Sequence, residues 1–426
     1  MIGASLNMIG PTIDMIWVGR LSSAAIAGVG VGGMAVMMIN SLISAICMGV
    51  RAIVARFMGA GDEEGAAHAS RQAYLLGIVF SLVMIPLGLF VAEPVMSLFG
   101  VEPDVVVEGS KYLRLLLIGS GTNVLWMMTE SIMQSSGDSI SPMRIVVFFR
   151  VLHVGLCPAL IFGWWIFPQL GVEGAALTNV ISQGLGLIIG TWVLLSGRSR
   201  LHLTLKNFRI DPVMMKRIIK IGIPVAITGA QRSLGDMVIM WFISPFGTAA
   251  VAAHTIWQRI MMFNMMPGMG FGTGAAVLAG QNMGADKPDR AERSGWLASG
   301  LVVAWMFIGG VLMLIFPEQI IGIFGPDPDV VELGADFLRI GAVALIVFGF
   351  EPVLQNVLCG VGDTLSPMCI TFGTFCVFQV PLAWALSNFT GLGVYGVRWG
   401  IVLGMMASGV GMALAFKSGR WKKKKV

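Results

Sequence analysis

Residues 99–114, FGVEPDVVVEGSKYLR, recur as residues 324–339, FGPDPDVVELGADFLR, identical at 9 of 16 positions. Composition alone would give roughly one or two matches. The same offset of 225 residues carries Gly137-Asp138 and Ser141-Pro142-Met143 onto Gly362-Asp363 and Ser366-Pro367-Met368. It also carries Met58-Gly59-Ala60 onto Met283-Gly284-Ala285. The 426-residue chain is therefore one unit written twice. Between these repeated turns lie long apolar runs. Hydrophobic residues make up 56% of the chain and charged ones 12%, with a mean hydropathy of +0.83. A soluble domain carries about 25% charged residues. These numbers exclude a soluble enzyme, a disordered chain and a nucleic-acid-binding module. An outer-membrane barrel is excluded too, because its strands would alternate apolar and polar. The reading is an all-α polytopic membrane protein.

A crossing takes about 20 apolar residues. Twelve such runs lie near 1–18, 32–52, 73–95, 113–135, 142–166 and 174–196, then 218–243, 249–272, 296–316, 337–360, 368–388 and 393–416. They group into an N-terminal six-helix lobe (1–196), a cytoplasmic linker (197–217) and a C-terminal lobe with a basic tail (218–426). Of the 28 Lys and Arg, 20 fall at the even-numbered loops and the C-terminus, including the run Lys422 to Lys425. Five, namely Arg20, Lys111, Arg114, Arg339 and Arg398, fall on the other side, and Arg150, Arg232 and Arg259 lie inside spans. Basic loops stay inside, so both termini are expected in the cytoplasm of a cell (inner) membrane protein. An even number of helices per half makes the repeats parallel, an arrangement typical of secondary transporters. The first helix starts several residues later than its counterpart, which reads as a late start or a trimmed N-terminus.

Other features are read more plainly. The net charge of +5 and pI near 9.1 follow from basic cytoplasmic loops and imply no nucleic acid. The cysteines (Cys47, Cys157, Cys359, Cys369, Cys376) lack zinc-ligand spacing, so no disulfide framework and no metal site is expected. The first 18 residues lack a basic lead and a cleavage site, so no cleavable signal peptide is expected. GVGVGG (28–33) spells a dinucleotide fingerprint but opens a transmembrane helix, where glycine serves packing. Lys422 to Lys425 read as a topology anchor on anionic headgroups.

The loops carry a resemblance. GRLSSAAIAGVG (19–30), MGAGDEEGAAHASRQA (58–73), SPFGTAAVAAH (244–254), GQNMGADKPDRAER (280–293) and GDTLSPM (362–368) together resemble the multidrug and toxic compound extrusion (MATE) transporters. The likeness runs along nearly the whole chain. It implies a V-shaped pair of six-helix lobes and export of organic, often cationic, compounds driven by inward H⁺ or Na⁺.

A charge within the bilayer costs about 2.5–3.5 kcal/mol, so each is a functional candidate. Asp14 lies a turn below the outer end of helix one. Desolvation disfavours its charged form, which suits binding and release of a proton, and a carboxylate beside neutral oxygens suits Na⁺ equally. In the family an acid on this helix is a coupling site, and TIDMIWVGRL (12–21) matches that segment with Asp14 in place. Arg150, His153 and Cys157 share one face of helix five. Many family members carry an Asn and an Asp there before a proline. This chain has His153 and Cys157 before Pro158, which weakens the case for a Na⁺ cage, and a histidine titrates near neutral pH. Thr178 and Asn179 on helix six join the coupling candidates. Glu130 and Arg150 are expected to form a structural ion pair. In the second half Gln231, Arg232, Asp236, Arg259 and Glu351 are the cavity candidates. Arg232 and Asp236 are four apart on one face and can partly neutralise each other.

The reading is a secondary active antiporter that exports amphipathic or cationic organic compounds in exchange for H⁺ or Na⁺. It is expected to act as a monomer among membrane lipids, with no cofactor beyond the coupling ion. The alternatives are a lipid-linked precursor flippase of the same superfamily, an integral-membrane enzyme and a passive channel. No HExxH, nucleophile elbow or P-loop is present to support the enzyme.

Overall fold

The computed structural model describes residue 10 and residues 12–164, 167–204, 208–325 and 327–424. The expected start of the first helix lies outside the described residues, as does Lys425. Among the described residues there is helix and no strand. Among the described residues, eight helical stretches are long and apolar enough to cross a membrane, two of them (328–360 and 365–389) made of successive helical segments. Their outward side chains, such as Met37, Leu82, Phe90, Val151, Phe307 and Val377, are largely exposed. An apolar surface of this extent suits lipid rather than water.

The chain divides into two compact units, residues 2–222 and 223–426. The first begins with α1 (residues 12–18), followed by α2 (Ser23–Gly59), α3 (Glu63–Phe90), the short α4 (Ala92–Leu98), α5 (Pro103–Ile118), α6 (Ser120–Ser136), α7 (Ile140–Phe162) and α8 (Val172–Leu195). The boundary falls within α9 (Pro212–Ile243). The second unit continues with α10 (Thr248–Gly284), α11 (Pro288–Ile315), α12 (Pro317–Gly322), α13 (Pro328–Phe348), α14 (Phe350–Gly360), α15 (Leu365–Gly373), a π-helical turn (Thr374–Gln379), α16 (Val380–Phe389) and α17 (Val394–Lys417).

Several crossings differ from the runs that hydropathy marks. The fourth, expected over 113–135, is two helices joined at Gly119, and the tenth, expected over 337–360, is two helices joined at Gly349. Both start about ten residues early because the repeated PDVV motif places Pro103 and Pro328 at the first helical position, where the missing N–H costs nothing. The second and eighth run on to Gly59 and Gly284, past the expected 52 and 272. Hydropathy reports the part in lipid, whereas helical hydrogen bonding continues through the polar turns beyond it.

The repeat is realised neighbour for neighbour. In the first unit α2 packs on α3, α5 and α6, while α3 packs on α5 and α6. In the second α10 packs on α11, α13 and α14, while α11 packs on α13 and α14. Likewise α8 meets α5, α6 and α7, as α17 meets α13, α14 and α16. The GDxxSPM turns match as well. Gly137 and Gly362 end their helices at φ 93° and 90°, a left-handed region that favours glycine. The aspartate after each is then held by the segment that follows the last helix of its unit. Ser199 Oγ donates to Asp138 Oδ2 at 3.1 Å, and Lys424 Nζ lies 2.8 Å from Asp363 Oδ1. Residues 199 and 424 are themselves 225 apart.

That docking changes two expectations. The stretch 197–217 is not a free linker. Leu201 and Leu203 are buried, Arg71 donates to the Thr204 carbonyl, and Gln72 bonds the Arg209 carbonyl and the Asp211 amide. The segment thus belongs to the first unit. The terminal lysines do not all point to headgroups either. Lys422 pairs with Asp289 at 3.0 Å and Glu292 at 2.6 Å, beside a buried Trp421 stacked on Phe416.

Asp211 caps α9 by accepting from the Val213 and Met214 amides, and it also bonds His68 at 3.1 Å. The Met214 amide, followed by His68, holds its carboxyl below the ordinary aspartate value. A lowered folded value means that the contribution is complete above about pH 3.9 and is lost as pH falls through the lower folded value. Asp211→Ala is expected to speed hydrogen exchange of the Val213 and Met214 amides several-fold at neutral pH. Wild-type protein should show the same loosening only in strong acid, and equal exchange in the two at pH 7 would refute the cap.

Candidate functional site

Asp14 sits one turn before the end of α1 and is fully buried. Small residues bring the neighbouring helices to it. Ala175 and Ala176 on α8 pack with Val18 of α1, Tyr112 of α5, and Cys157 and Ile161 of α7 in one apolar cluster. On α7, His153 and Cys157 are four residues apart, so one helical face presents both. The closure of α2 onto α5 depends on Gly28. A Cβ there would stand 2.6 Å from the Gly109 amide nitrogen.

The two oxygens of Asp14 are divided among three side chains. His153 Nε2 lies 3.0 Å from Oδ1 and donates to it as the Nε2–H tautomer. The Cys157 thiol donates to the same oxygen at 3.5 Å. Asn179 Nδ2 donates to Oδ2 at 2.7 Å and also to the Ala175 carbonyl at 3.2 Å. His153 and Cys157 are fully buried and Asn179 nearly so. A carboxylate removed from water in this way needs hydrogen bonds and a compensating positive charge. The hydrogen bonds are present, and the Arg150 guanidinium acts on Asp14 electrostatically. Tyr112, which sequence reasoning did not select, lies within electrostatic reach of Asp14 and Cys157. Its only signal was a place in the repeated helix, and that signal does not reveal which way it faces.

Other candidates fall elsewhere. Thr178 is buried, but its hydroxyl donates to the Gly174 carbonyl of its own helix. The expected ion pair between Glu130 and Arg150 does not form. Glu130 accepts from Gln134 at 3.0 Å, and Arg51, missed in the sequence, acts on it more strongly than Arg150 does. Arg150 instead feels Asp14 ahead of Glu130, and its guanidinium occupies the space beside Gly10 that any Cβ would take. Each of the two still feels the other's charge, but without ion-pair contact.

In the second unit Glu351 is buried and pairs with Arg232 at 3.7 Å, so Arg232 reaches across to α14 rather than serving Asp236 alone. Gln231 donates to the Thr371 carbonyl at 3.3 Å, whereas Asp236 and Arg259 are exposed. Arg398, counted on the outer side, is buried in α17 with its guanidinium 3.5 Å from the ring centre of Trp257. The Asp14 cluster has no copy here. The 225 offset puts Ile239 at the place of Asp14, and the shared LGV-x-G register puts Ile401 at that of Asn179. Residues 365–389, the counterpart of α7, contain no histidine or acid.

Comparison with known proteins agrees with this architecture. The MatE family model matches residues 1–159 and 224–385. The chain is 26% identical over 427 residues to the probable multidrug resistance protein NorM of Thermotoga maritima, covering 99% of this chain and 90% of that one. It is 29% identical to the multidrug resistance protein NorM of Burkholderia vietnamiensis, covering 95% and 88%. A solved outward-facing multidrug resistance MATE family transporter of the MOP superfamily superposes with a TM-score of 0.90 at 24% identity, covering 100% of this chain and 94% of that one. With the family model matched on both halves, and with the twelve-helix, two-lobe fold to go with it, the chain belongs to the MatE family of membrane transporters.

Proposed function

We propose that this protein is a secondary active antiporter, exporting amphipathic or cationic organic compounds in exchange for H⁺ or Na⁺, with Asp14 as the coupling carboxylate. The drug-resistance names of relatives matched over nearly the whole chain support the export role. One observation carries the coupling role. A fully buried carboxylate in the first unit is held by His153, Cys157 and Asn179 and has no counterpart in the second. Cation occupancy raises the charge of this core by one, beside the Arg150 guanidinium that acts on Asp14. A change of that kind in a low-dielectric interior favours a different packing of α1 against α7 and α8, which couples ion binding to substrate release. The excess of basic residues on one side supports a cell-membrane protein with both termini cytoplasmic.

The test is transport in proteoliposomes of a fluorescent organic cation under a proton gradient alone and a sodium gradient alone. Movement of the dye against its own gradient is expected under one of the two. Equilibration without accumulation under both would reduce the protein to a passive pathway and overturn the antiport reading.

A further inference from the structure

The cluster at Asp14 brings together one oxygen, one nitrogen and one sulfur donor. The ligand atoms of Asp14, His153 and Cys157 all lie within 4.8 Å of one another, and all three residues are buried. A tetrahedral zinc site has bonds of about 2.0–2.1 Å to nitrogen and oxygen and about 2.3 Å to sulfur. Its oxygen–nitrogen and oxygen–sulfur edges are therefore about 3.4 and 3.5 Å. The corresponding separations here are 3.0 Å for His153 Nε2 and 3.5 Å for Cys157 Sγ, both to Asp14 Oδ1. Measured to Asp14 Oδ1, sulfur already stands at the edge length and the imidazole nitrogen is a few tenths of an ångström inside it. Asn179 on Oδ2 orients the carboxylate, as outer partners of metal ligands do.

Donor chemistry separates this ion from the coupling one. Hard ions such as Na⁺ take oxygen, whereas thiolate and imidazole select zinc and its neighbours. The divalent ion, the carboxylate and the thiolate sum to zero charge among themselves. We propose that this cluster binds a divalent metal of the zinc class in place of the coupling cation and thereby blocks transport. The blocking part rests on the coupling role proposed above, while the binding part does not. On binding, metal–oxygen, metal–nitrogen and metal–sulfur bonds form. The Nε2–H bond of His153 breaks as the imidazole takes its proton on Nδ1 instead, and the S–H bond of Cys157 breaks with its proton leaving to solvent. The metal keeps its oxidation state.

Co²⁺ is the probe, titrated into the purified full-length protein in detergent at neutral pH with no gradient. About one equivalent should develop a thiolate-to-cobalt charge-transfer band and tetrahedral visible bands, both erased by Zn²⁺. The bands should persist when Cys47, Cys359, Cys369 and Cys376 are all changed to Ser. They should vanish when Cys157→Ser is added to that background, with size-exclusion elution confirming a folded sample. If the wild-type protein gives no charge-transfer band, or if the band survives loss of Cys157, the metal site is overturned. The wild-type and four-serine proteins keep the test decisive even if the last variant misfolds. In proteoliposomes Zn²⁺ should abolish uphill efflux and a chelator should restore it, and full efflux with Zn²⁺ present would overturn the block. The two readings fail separately. A cobalt band in a protein whose Asp14→Asn variant still pumps would leave the metal site standing and remove the coupling role, and the converse pair of results would do the opposite.

Discussion

Asp14→Asn is expected to lower uphill efflux at least about tenfold, equivalent to about 1.4 kcal/mol or more of lost coupling, while leaving insertion and substrate binding intact. The amide has the shape of the carboxylate but cannot hold a cation. It can still accept from His153 and Cys157 through its oxygen, and Asn179 can turn its own carbonyl oxygen toward the new NH₂ group. The polar contacts are therefore rebuilt rather than broken. Removal of a charge from the membrane interior also relieves a cost of about 2.5–3.5 kcal/mol. Expression-matched efflux under a proton or sodium gradient is the measurement, with substrate binding assayed separately. Efflux at the wild-type rate would move the coupling role to Glu351, buried beside Arg232, or to the exposed Asp236.

Gly28→Leu is expected to destabilise the protein by about 1–3 kcal/mol or more, the range for forcing atoms into a packed core. A Cβ at this position would meet the Gly109 amide nitrogen at 2.6 Å and its Cα at 3.0 Å. Both are backbone atoms, so no side chain can swing aside, and α2 must move off α5. Val29 and Tyr112, which pack between these helices beside the Asp14 cluster, then lose contact. Gly33→Leu on the same helix is the control, because nothing lies within 4 Å of its Cβ position. That substitution is expected to stay within about 0.5 kcal/mol. Thermal unfolding of the two variants in detergent decides the matter, and equal midpoints would refute the close approach of α2 and α5.

Much of this protein was legible in the order of its residues. Apolar runs of bilayer length specify membrane helices because lipid leaves the backbone no partner but itself. The 225-residue offset revealed two equivalent units, since each copy must bury the same faces against the same neighbours. Asp14 stood out because an acid inside an apolar run is costly. His153 and Cys157 could be placed on one face because helical spacing is local.

Tertiary structure alone decided the rest. His153 and Asn179 meet Asp14 across 139 and 165 residues of chain, and no local rule brings a carboxylate oxygen within reach of each. Helices surrounded by lipid on one side and apolar protein on the other are hydrophobic all round, so periodicity does not set their rotation. For that reason Glu130 and Arg150 looked paired although Arg51 acts more strongly on Glu130. It is also why Arg398, counted among the basic residues of the outer side, could not be seen to pack into the core against Trp257. The stretch after α8 read as a polar linker because two leucines and a few backbone hydrogen bonds are enough to dock it and leave no run to notice. Sequence set which segments enter the membrane, because that choice depends on each segment's own transfer free energy. The Asp14 cluster is a property of how three helices are turned toward one another, and that is settled only by packing.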